Sequence, residues 1–258
     1  MTHLFSDVLA LEELGDDRFI IRPPRSGFLF GGLSMAMCLR SAAATVEPDM
    51  TPMSVRATFL ASGDWGGPHH FEVLRVSDSR SFAVRRVEMT TGGKRAILAD
   101  VVFQRPGDGA DWQAPPAPDA AAPESLAQLP EVLPVRLIDI RPLGEVSPER
   151  ERVHPYWGKA IQPPDDPTLL ACALTFISDY YVVASPFPAS SRRVDGTNST
   201  TFTHSLMFHR PLTDGWWLFD CEPLSVSGGR FLSRGQIQAQ DGALLASFVQ
   251  EGVIRQRK

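Results

Sequence analysis

Residues 169–185 read LLACALTFISDYYVVAS and are the one long apolar run of the chain. The run approaches the length of a membrane span, but it contains Asp179 and has no basic flank. We therefore predict a buried helix that begins at Asp166-Pro167, because Asp and Pro are typical of a helix start. Strands are predicted around it, at residues 136–141, 152–160 and 202–209.

The first half of the chain shows the same order of elements. Gly31-Gly32 opens a helical stretch rich in Ala, Leu and Met, and Gly92-Gly93 marks a hairpin turn. A short helical turn and a strand precede that helix within residues 4–22, and strands are predicted after it at 54–60, 70–76, 81–89 and 97–104. One helix followed by an antiparallel meander, occurring twice, indicates a helix wrapped by a curved sheet in each half.

A change of composition separates the two halves. Residues 106–134 contain seven prolines and seven alanines, which leave little to pack. We predict a linker there, with one helical turn around residues 124–128. The predicted domains are an N-terminal module at 1–105 and a C-terminal module at 135–258, joined by the linker at 106–134.

Composition excludes several classes of protein. With 43% hydrophobic and 21% charged residues, the chain can fill a core and is not a disordered or fibrous protein. A net charge of -5 gives no electrostatic reason to expect nucleic acid or an anionic membrane as partner. Cys38, Cys172 and Cys221 have no CxxC spacing, and the N-terminus lacks the pattern of a signal peptide, so we expect a cytoplasmic protein without disulfides or a zinc site.

Three segments of the second half are distinctive: HSLMFHRP at 204–211, GGRFLSRGQIQAQDGALLAS at 228–247 and VQEGVIR at 249–255. They resemble the C-terminal module of the type II acyl-CoA thioesterases, the TesB-like double hot-dog family. In the first half, FGGLSMAMCLRSA, SRSFAVRRV and ILADVVFQRP are similar to the N-terminal module of that family. The resemblance covers nearly the whole chain outside the predicted linker.

The resemblance implies an α+β fold, the double hot-dog, in which each of two tandem modules is a long central helix wrapped by a curved antiparallel sheet. It also implies an enzyme that hydrolyses acyl-CoA with a water molecule held by Asp179 of FISDYY, Thr201 before HSLMFHRP and Gln250 of VQEG. The expected partner is the acyl-CoA substrate, with no cofactor and no metal ion. We also expect a homo-oligomer formed through sheet edges.

Departures from the family pattern concern the substrate. Leu33 follows FGG where the family usually has a polar residue, and FLASGD at 59–64 stands where FLRPGD is common. We expect Gly31, Gly32 and Leu33 to bind the substrate, and the Leu33 departure to affect acyl-chain and CoA contacts. Neither the acyl-chain length nor the choice between CoA and an acyl carrier protein follows from the sequence.

Asp179 is unusual by its residue type alone, because it is expected inside an otherwise apolar helix. Burial of a carboxylate is costly without hydrogen bonds, and it raises the pKa toward the range of a general base. The structural alternative is that Asp179 caps a backbone break or pairs with an arginine such as Arg192. The run TNSTTFT around Thr201 would by itself indicate a polar loop that leads into a strand edge.

Gln250 is expected to share a strand face with Phe248, because side chains alternate along SFVQEGV. The repeat places Phe103 at the equivalent position of the first half, and Ala43 or a neighbour opposite Asp179. We therefore predict one active site, in the second module. A thioester is already activated, so its hydrolysis needs a positioned water, a base and oxyanion donors, for which the helix start at Gly31-Gly32 is a candidate.

Other enzyme classes have weaker support. Gly32-Leu33-Ser34-Met35-Ala36 is one residue short of the GxSxG nucleophile elbow, and that fold needs alternating strands and helices. His204 and His209 are expected on opposite faces of a strand, so they cannot bind one metal ion together. A hydratase or dehydratase of the same fold would need a His with a carboxylate, and a catalytically silent acyl-binding protein would lack the three polar residues.

Overall fold

The computed structural model describes residues 4–23, 29–61, 67–113, 119–130, 137–144, 155–182 and 197–256. Within these residues the helices are α1 (Phe5–Val8), α2 (Gly31–Ala43) and α3 (Pro167–Ser178), with a 3-10 turn at Pro123–Ser125. The first-half strands are β1 (Leu11–Gly15), β2 (Arg18–Ile21), β3 (Thr51–Phe59), β4 (His69–Asp78), β5 (Phe82–Thr91) and β6 (Lys94–Gln104). The second-half strands are β7 (Ile138–Pro142), β8 (Tyr156–Ala160), β9 (Thr197–Phe208), β10 (Trp217–Ser227), β11 (Arg230–Ala239) and β12 (Leu244–Gln256).

The described strands form one twelve-stranded sheet in which every pair of neighbours is antiparallel, and strand β3 pairs with β9 at its centre. Outward from that junction, the first half continues as β6, β5, β4, β2 and β1. The second half continues as β12, β11, β10, β8 and β7. The two halves therefore repeat in topology, strand for strand, although their sequences differ.

Helices α2 and α3 pack against each other on one side of this sheet. Small residues at the contact allow a close approach: the Cys172 thiol lies 3.4 Å from the Ala36 carbonyl oxygen. Both helices are buried along most of their length, and their side chains join those of the strands in one hydrophobic core. The start of α2 is consequently held close to the end of α3.

Two glycine turns occur at matching places in the halves. Gly92 and Gly93 have φ angles of 55° and 73° at the β5–β6 hairpin, and Gly228 and Gly229 have 58° and 74° at the β10–β11 hairpin. A type I′ hairpin turn needs positive φ at both central residues, which glycine adopts without strain. The hairpin turn predicted at Gly92-Gly93 is thereby confirmed.

Most helix and strand positions follow the sequence pattern, with boundaries shifted by a few residues. Strand β1 was not expected, because LEELG shows no alternation of apolar and polar residues. It pairs with β2 along the main chain and lies at the edge of the sheet, and the Arg18 side chain of β2 adds a hydrogen bond of 3.4 Å to the Gly15 carbonyl. Because main-chain hydrogen bonds can form whatever the side chains are, the sequence pattern does not predict this strand.

Residues 119–130, which we call the connecting segment, pack more closely than the composition suggests. The Trp157 indole donates to the Ala121 carbonyl at 2.9 Å, and the Trp216 indole donates to Glu124 at 3.1 Å. Ala120 and Leu126 cover an apolar cluster on the outer face of β8 and β10. The expectation of little packing is therefore wrong for this segment, because indole donors and main-chain carbonyls compensate for its lack of large side chains.

Candidate active site

Asp179 lies at the end of α3, which begins at a capped start. The Asp166 carboxylate accepts hydrogen bonds from the Thr168 and Leu169 N–H groups at 2.7 and 3.0 Å. The helix ends at Ser178, so Asp179 is its C-cap and not an interior residue as the apolar run predicted. The chain turns here, and Tyr181 has a φ of 59°, which is strained for a non-glycine residue. The apolar pattern continues past Ser178, which explains the wrong helix boundary.

Thr201 and Gln250 reach Asp179 from two neighbouring strands. Thr201 lies within β9 and not in a polar loop, and β9 pairs with β12, which carries Gln250. Phe248 and Gln250 are buried while Val249 and Glu251 are exposed, so the predicted face of Gln250 is confirmed. The structure thus brings together three side chains that are distant in sequence.

A line of hydrogen bonds joins these three side chains. The Gln250 Nε2 atom donates to Thr201 Oγ1 at 3.0 Å, and Thr201 Oγ1 donates to Asp179 Oδ1 at 3.5 Å. The second bond is long, as is common for catalytic contacts in the absence of substrate. Because the threonine hydroxyl accepts from the glutamine, its single hydrogen is directed at the carboxylate.

The start of α2 contributes to the same site from the first half of the chain. The Gly32 N–H donates to the Asp179 carboxylate. A Cβ atom on Gly31 would lie 2.7 Å from Asp179 Oδ2, so only glycine leaves room for the carboxylate. Helix α2 has no side-chain cap, and Asp179 satisfies an N–H group there. Leu33, by contrast, is fully buried in the core.

Burial raises the pKa of the Asp179 carboxyl from its ordinary 3.8 to about 7, while hydrogen bonds from Gly32, Thr201 and Gln250 oppose the rise. The side chain is only 4% exposed. Desolvation of the charged form is the dominant cause. A carboxyl group with a pKa near neutrality can exchange a proton readily at physiological pH.

Behind Gln250 lies a second layer of polar groups that the sequence analysis missed. His204 Nδ1 is 2.5 Å from Gln250 Oε1, and His204 Nε2 is 3.0 Å from Ser178 Oγ. Burial lowers the pKa of His204 to about 4, so the ring is neutral at physiological pH. His204 is buried on β9, whereas His209 lies one residue past the end of that strand and is exposed. The sequence could have indicated this role only if the pairing of β9 with β12 had been predicted, because that pairing places His204 opposite Gln250.

Several aromatic rings lie near the carboxylate. The Tyr180 ring centroid lies 4.8 Å from that of Phe30 and 5.4 Å from that of Phe176. The Phe59 ring is 3.2 Å from the position of a Cβ on Gly31. These apolar groups lie near the buried carboxylate, and burial is the cause of its raised pKa.

The corresponding region of the first half carries different groups. Helix α2 ends at Ala43 with Ala44 as its C-cap, and Phe103 is fully buried on β6. The buried Arg85 guanidinium binds the Thr45 hydroxyl at 2.8 Å and the Thr45 carbonyl at 3.0 Å. The Arg85 side chain on β5 thereby joins the turn after α2 to the sheet.

Ser34 and Arg192, two further residues named from the sequence, do not contribute to this site in the described structure. Ser34 Oγ donates to the Phe30 carbonyl at 3.1 Å and is buried within α2. Arg192 lies outside the described residues. No group of three or more metal-ligating side chains occurs in the described ranges. None of the helices in the part of the chain that the structure covers is long and apolar enough to cross a membrane.

Comparison with known proteins gives consistent matches over both halves. The family model described as "Acyl-CoA thioesterase N-terminal domain" matches residues 21–104, and "Acyl-CoA thioesterase C-terminal domain" matches residues 106–254. The chain is 29% identical to acyl-CoA thioesterase 2 of Haemophilus influenzae, over 96% of each protein. It is 28% identical to human acyl-coenzyme A thioesterase 8, over 98% of this chain and 89% of the relative.

Solved structures agree with these matches. The acyl-CoA thioesterase II TesB2 from Mycobacterium marinum superposes with a TM-score of 0.82 at 30% identity, covering 98% of both chains. A hot-dog protein of unknown function from Alicyclobacillus acidocaldarius gives a TM-score of 0.76 at 21% identity, over the whole of both chains. The second likeness bears on the fold alone, and it is to a hot-dog fold.

Proposed function

The chain belongs to the acyl-CoA thioesterase family and is a thioester hydrolase, and on that basis we propose that it cleaves fatty-acyl or related CoA thioesters with water activated at Asp179, Thr201 and Gln250. The observation that carries this proposal is the buried carboxylate of Asp179, which Thr201 links to Gln250 through hydrogen bonds of 3.5 and 3.0 Å. A structural ion pair would not need this arrangement of a carboxylate, a hydroxyl and an amide.

In the proposed reaction, Asp179 accepts a proton from a water molecule held by Thr201 and Gln250. The water oxygen forms a bond to the thioester carbonyl carbon, and the negative charge that develops on the carbonyl oxygen is stabilised by N–H groups at the start of α2. The carbon–sulfur bond then breaks, and the proton on Asp179 passes to the departing thiolate. The products are a carboxylic acid and CoA, and Asp179 returns to its ionised form.

The pKa of Asp179 supports its role as the base. A carboxyl with a pKa of about 7 is ionised in part at neutral pH and is a stronger base than an ordinary aspartate. The Gly32 N–H holds this carboxylate in place, so the start of α2 serves the base as well as the oxyanion. Chemistry is proposed for this one site, and Gly31 and Gly32 are proposed to contact the substrate. The expectation that Leu33 also binds substrate does not fit its position, because its side chain is fully buried in the core.

Around this site we propose two hot-dog modules at 1–105 and 135–258, joined by residues 106–134, with α2 and α3 as their central helices. The repeated strand order supports this division. Strands β1 and β7 lie at the outer edges of the sheet, where self-association is proposed. The cytoplasmic location stays a prediction.

The test is the release of free CoA thiol from a series of acyl-CoA substrates of increasing chain length. We expect release with at least one chain length, and a decrease in kcat of about 10² to 10⁴ in Asp179→Asn, which is the usual contribution of a positioned base. Asp165→Asn is the matched control, because Asp165 is exposed before the start of α3. Near wild-type turnover in a folded Asp179→Asn protein would contradict the assignment, and absence of thiol release at every chain length would overturn the function.

The same assay separates the remaining alternatives. Both ring nitrogens of His204 are engaged with Ser178 and Gln250, so this histidine is not available as the acid or base of a hydratase. A covalent acyl-enzyme on Ser34 would appear as an added acyl mass after rapid quenching. We expect no such adduct, because the Ser34 hydroxyl is buried and donates to the main chain of its own helix.

A further inference from the structure

Strand β11 carries a buried hydroxyl group, that of Ser233, which takes no part in the hydrogen bonds of the site. The side chain is fully buried, and its Oγ atom has no hydrogen-bond partner among the described residues. Burial of a hydroxyl without a partner is costly, and almost every buried polar group in a protein binds a protein group or an ordered molecule. The Ser233 hydroxyl therefore needs a partner from outside the described chain.

The hydroxyl lies beside Gln250. Ser233 on β11 is directly opposite Gln250 on β12, and both side chains are on the buried face of the sheet. Side chains paired in this way have Cβ atoms about 4.5–5.5 Å apart. Ser233 is thus the cross-strand neighbour of Gln250 on the side away from His204.

Two phenyl rings flank this pair along the strands. Phe231 is paired with Gly252 on one side of it, and Phe248 is paired with Gly235 on the other. Each ring lies over the glycine of the neighbouring strand, in the space that a Cβ atom would need. Apolar rings cannot satisfy a hydroxyl, so its partner has to be a polar group in the space between them.

The three polar side chains of the site have no hydrogen left to donate to the hydrolytic water. Thr201 directs its one hydrogen at Asp179. Gln250 donates to Thr201 and also forms a hydrogen bond with Asp179. An ionised carboxylate only accepts. These groups can therefore accept hydrogen bonds from a water molecule, whereas the Ser233 hydroxyl is a donor that can bind the oxygen of that water.

We propose that Ser233 is a further catalytic residue, whose hydroxyl donates to the oxygen of the hydrolytic water. This proposal rests on the proposed function of Asp179, Thr201 and Gln250. Ser233 holds one lone pair of the water and Asp179 holds one of its hydrogens, which leaves the other lone pair free to attack the carbonyl carbon. The same hydrogen bond stabilises the negative charge that grows on the water oxygen as Asp179 takes the proton.

Ser233→Ala removes the hydroxyl and changes little else. We expect kcat to fall about 10-fold with KM little changed, and the melting temperature to equal or exceed that of the wild type, because a buried hydroxyl without a protein partner is removed. A hydroxyl with a structural role would give a lower melting temperature and an unchanged kcat, which would overturn the proposal. Ser225→Ala is the control, because Ser225 is exposed on the neighbouring strand β10.

A second pair of variants keeps the size of the side chain constant. Ser233→Thr and Ser233→Val place nearly the same added volume in the core, and only threonine carries a hydroxyl. We expect the threonine variant to turn over about 10-fold faster than the valine variant. This comparison also decides the case in which Ser233→Ala loses both stability and activity. Equal turnover of the two variants would show that the hydroxyl is not used, and the proposal would be wrong.

The Asp179→Asn background distinguishes water from substrate as the partner of the hydroxyl. Because both residues are proposed to act on the same proton transfer, adding Ser233→Ala to Asp179→Asn should lower the remaining kcat by less than twofold. A full additional loss would show that the hydroxyl binds the substrate and would overturn the proposal. Failure of the proposed function itself is seen separately, as a wild-type protein without thiol release or a fully active Asp179→Asn variant.

Discussion

At the scale of single residues, the raised pKa of Asp179 has a consequence for stability. In the unfolded chain the carboxyl has its ordinary pKa of 3.8, and in the native protein burial raises this pKa to about 7. Below pH 3.8 the group is protonated in both states and costs nothing. Between these values the native state becomes progressively less stable, and above pH 7 the cost reaches up to about 4 kcal/mol, since one pKa unit corresponds to about 1.4 kcal/mol.

We therefore expect Asp179→Asn to be more stable than the wild type at pH 8 and equally stable at pH 3.5. The asparagine oxygen can still accept from Gly32, so the gain reflects removal of the buried charge. Urea unfolding at the two pH values measures the difference, with Asp165→Asn as the control. A stability gain of the same size at both pH values would show that the charge of Asp179 is not the cause.

Substitution of the neighbouring residues Gly31 and Gly32 by alanine is expected to have different effects. A Cβ on Gly31 would meet Asp179 Oδ2 at 2.7 Å, whereas one on Gly32 would meet the Phe176 carbonyl oxygen at 2.4 Å. We expect Gly31→Ala to displace the carboxylate and lower kcat by about 10-fold or more with little change in melting temperature. Gly32→Ala should instead lower the melting temperature, because a main-chain carbonyl cannot move aside as a side chain can.

Thiol-release kinetics and thermal melting of both variants check this contrast. Gly107→Ala is the control, since no atom lies within 4 Å of the added Cβ. Full activity in Gly31→Ala would mean that the carboxylate does not need the position seen in the structure.

The residue scale also shows what sequence reasoning could and could not find. Alternation along one strand was enough to place Gln250 on the buried face, because strand geometry is local. Asp179 could be singled out because it is the one acid in an apolar run, which is also a local property of the sequence. The contacts of Asp179 with Gly32 and of Gln250 with His204 join distant parts of the chain, and no local pattern encodes them.

Among the elements, strands β6 and β12 occupy matching places in the two halves, but they carry different buried side chains, Phe103 and Gln250. Phe103 on β6 packs in the core, whereas Gln250 on β12 bonds to Thr201 and His204. We expect Gln250→Ala to lower kcat by about 10- to 10³-fold, since a water-orienting amide is lost while the base stays. Phe103→Gln should create no second site, and it should reduce stability by about 3 kcal/mol or more, because it buries an amide in an apolar environment.

Turnover and denaturation midpoints of the two variants test this asymmetry together. A folded, fully active Gln250→Ala protein would remove Gln250 from the mechanism. If substitutions confined to residues 31–40 abolished hydrolysis while Gln250→Ala remained active, the chemistry would belong to the first half of the chain.

Elements were predictable where they carry a pattern of their own. The two helices and most strands follow from apolar periodicity and glycine turns. The connecting segment was misjudged because its contacts use main-chain carbonyls of Ala121 and Pro123 as acceptors for Trp157 and Arg141. Every residue has such a carbonyl, so composition gives no indication of where it is used.

At the scale of the whole molecule, the halves share one sheet and one core. Strand β3 pairs with β9, and α2 packs on α3, so neither half can lose its structure without exposing the other. We expect a single unfolding transition, with coincident midpoints from far-ultraviolet circular dichroism and from tryptophan fluorescence. The described tryptophans report mainly on the second half, because Trp157, Trp216 and Trp217 are buried there. Two separated transitions would show that the halves unfold independently.

The repeat of topology could be predicted from the sequence as a repeat of element order, since helix starts, strand patterns and glycine turns follow one another in the same order in each half. The joining of the halves into one continuous sheet was not visible. It depends on the pairing of β3 with β9, which are separated by more than a hundred residues and carry no shared motif.

The unlike starts of the two central helices also bear on inheritance. Helix α3 closes its own start with Asp166 and Pro167, whereas α2 leaves its start open for Asp179. A recombination event that replaced the second half by a copy of the first would yield two open starts and no acid to meet them. The reverse exchange would yield two acids, each facing a start that is already filled. The site therefore needs two different halves: the first supplies the uncapped helix start, and the second supplies the acid that binds to it.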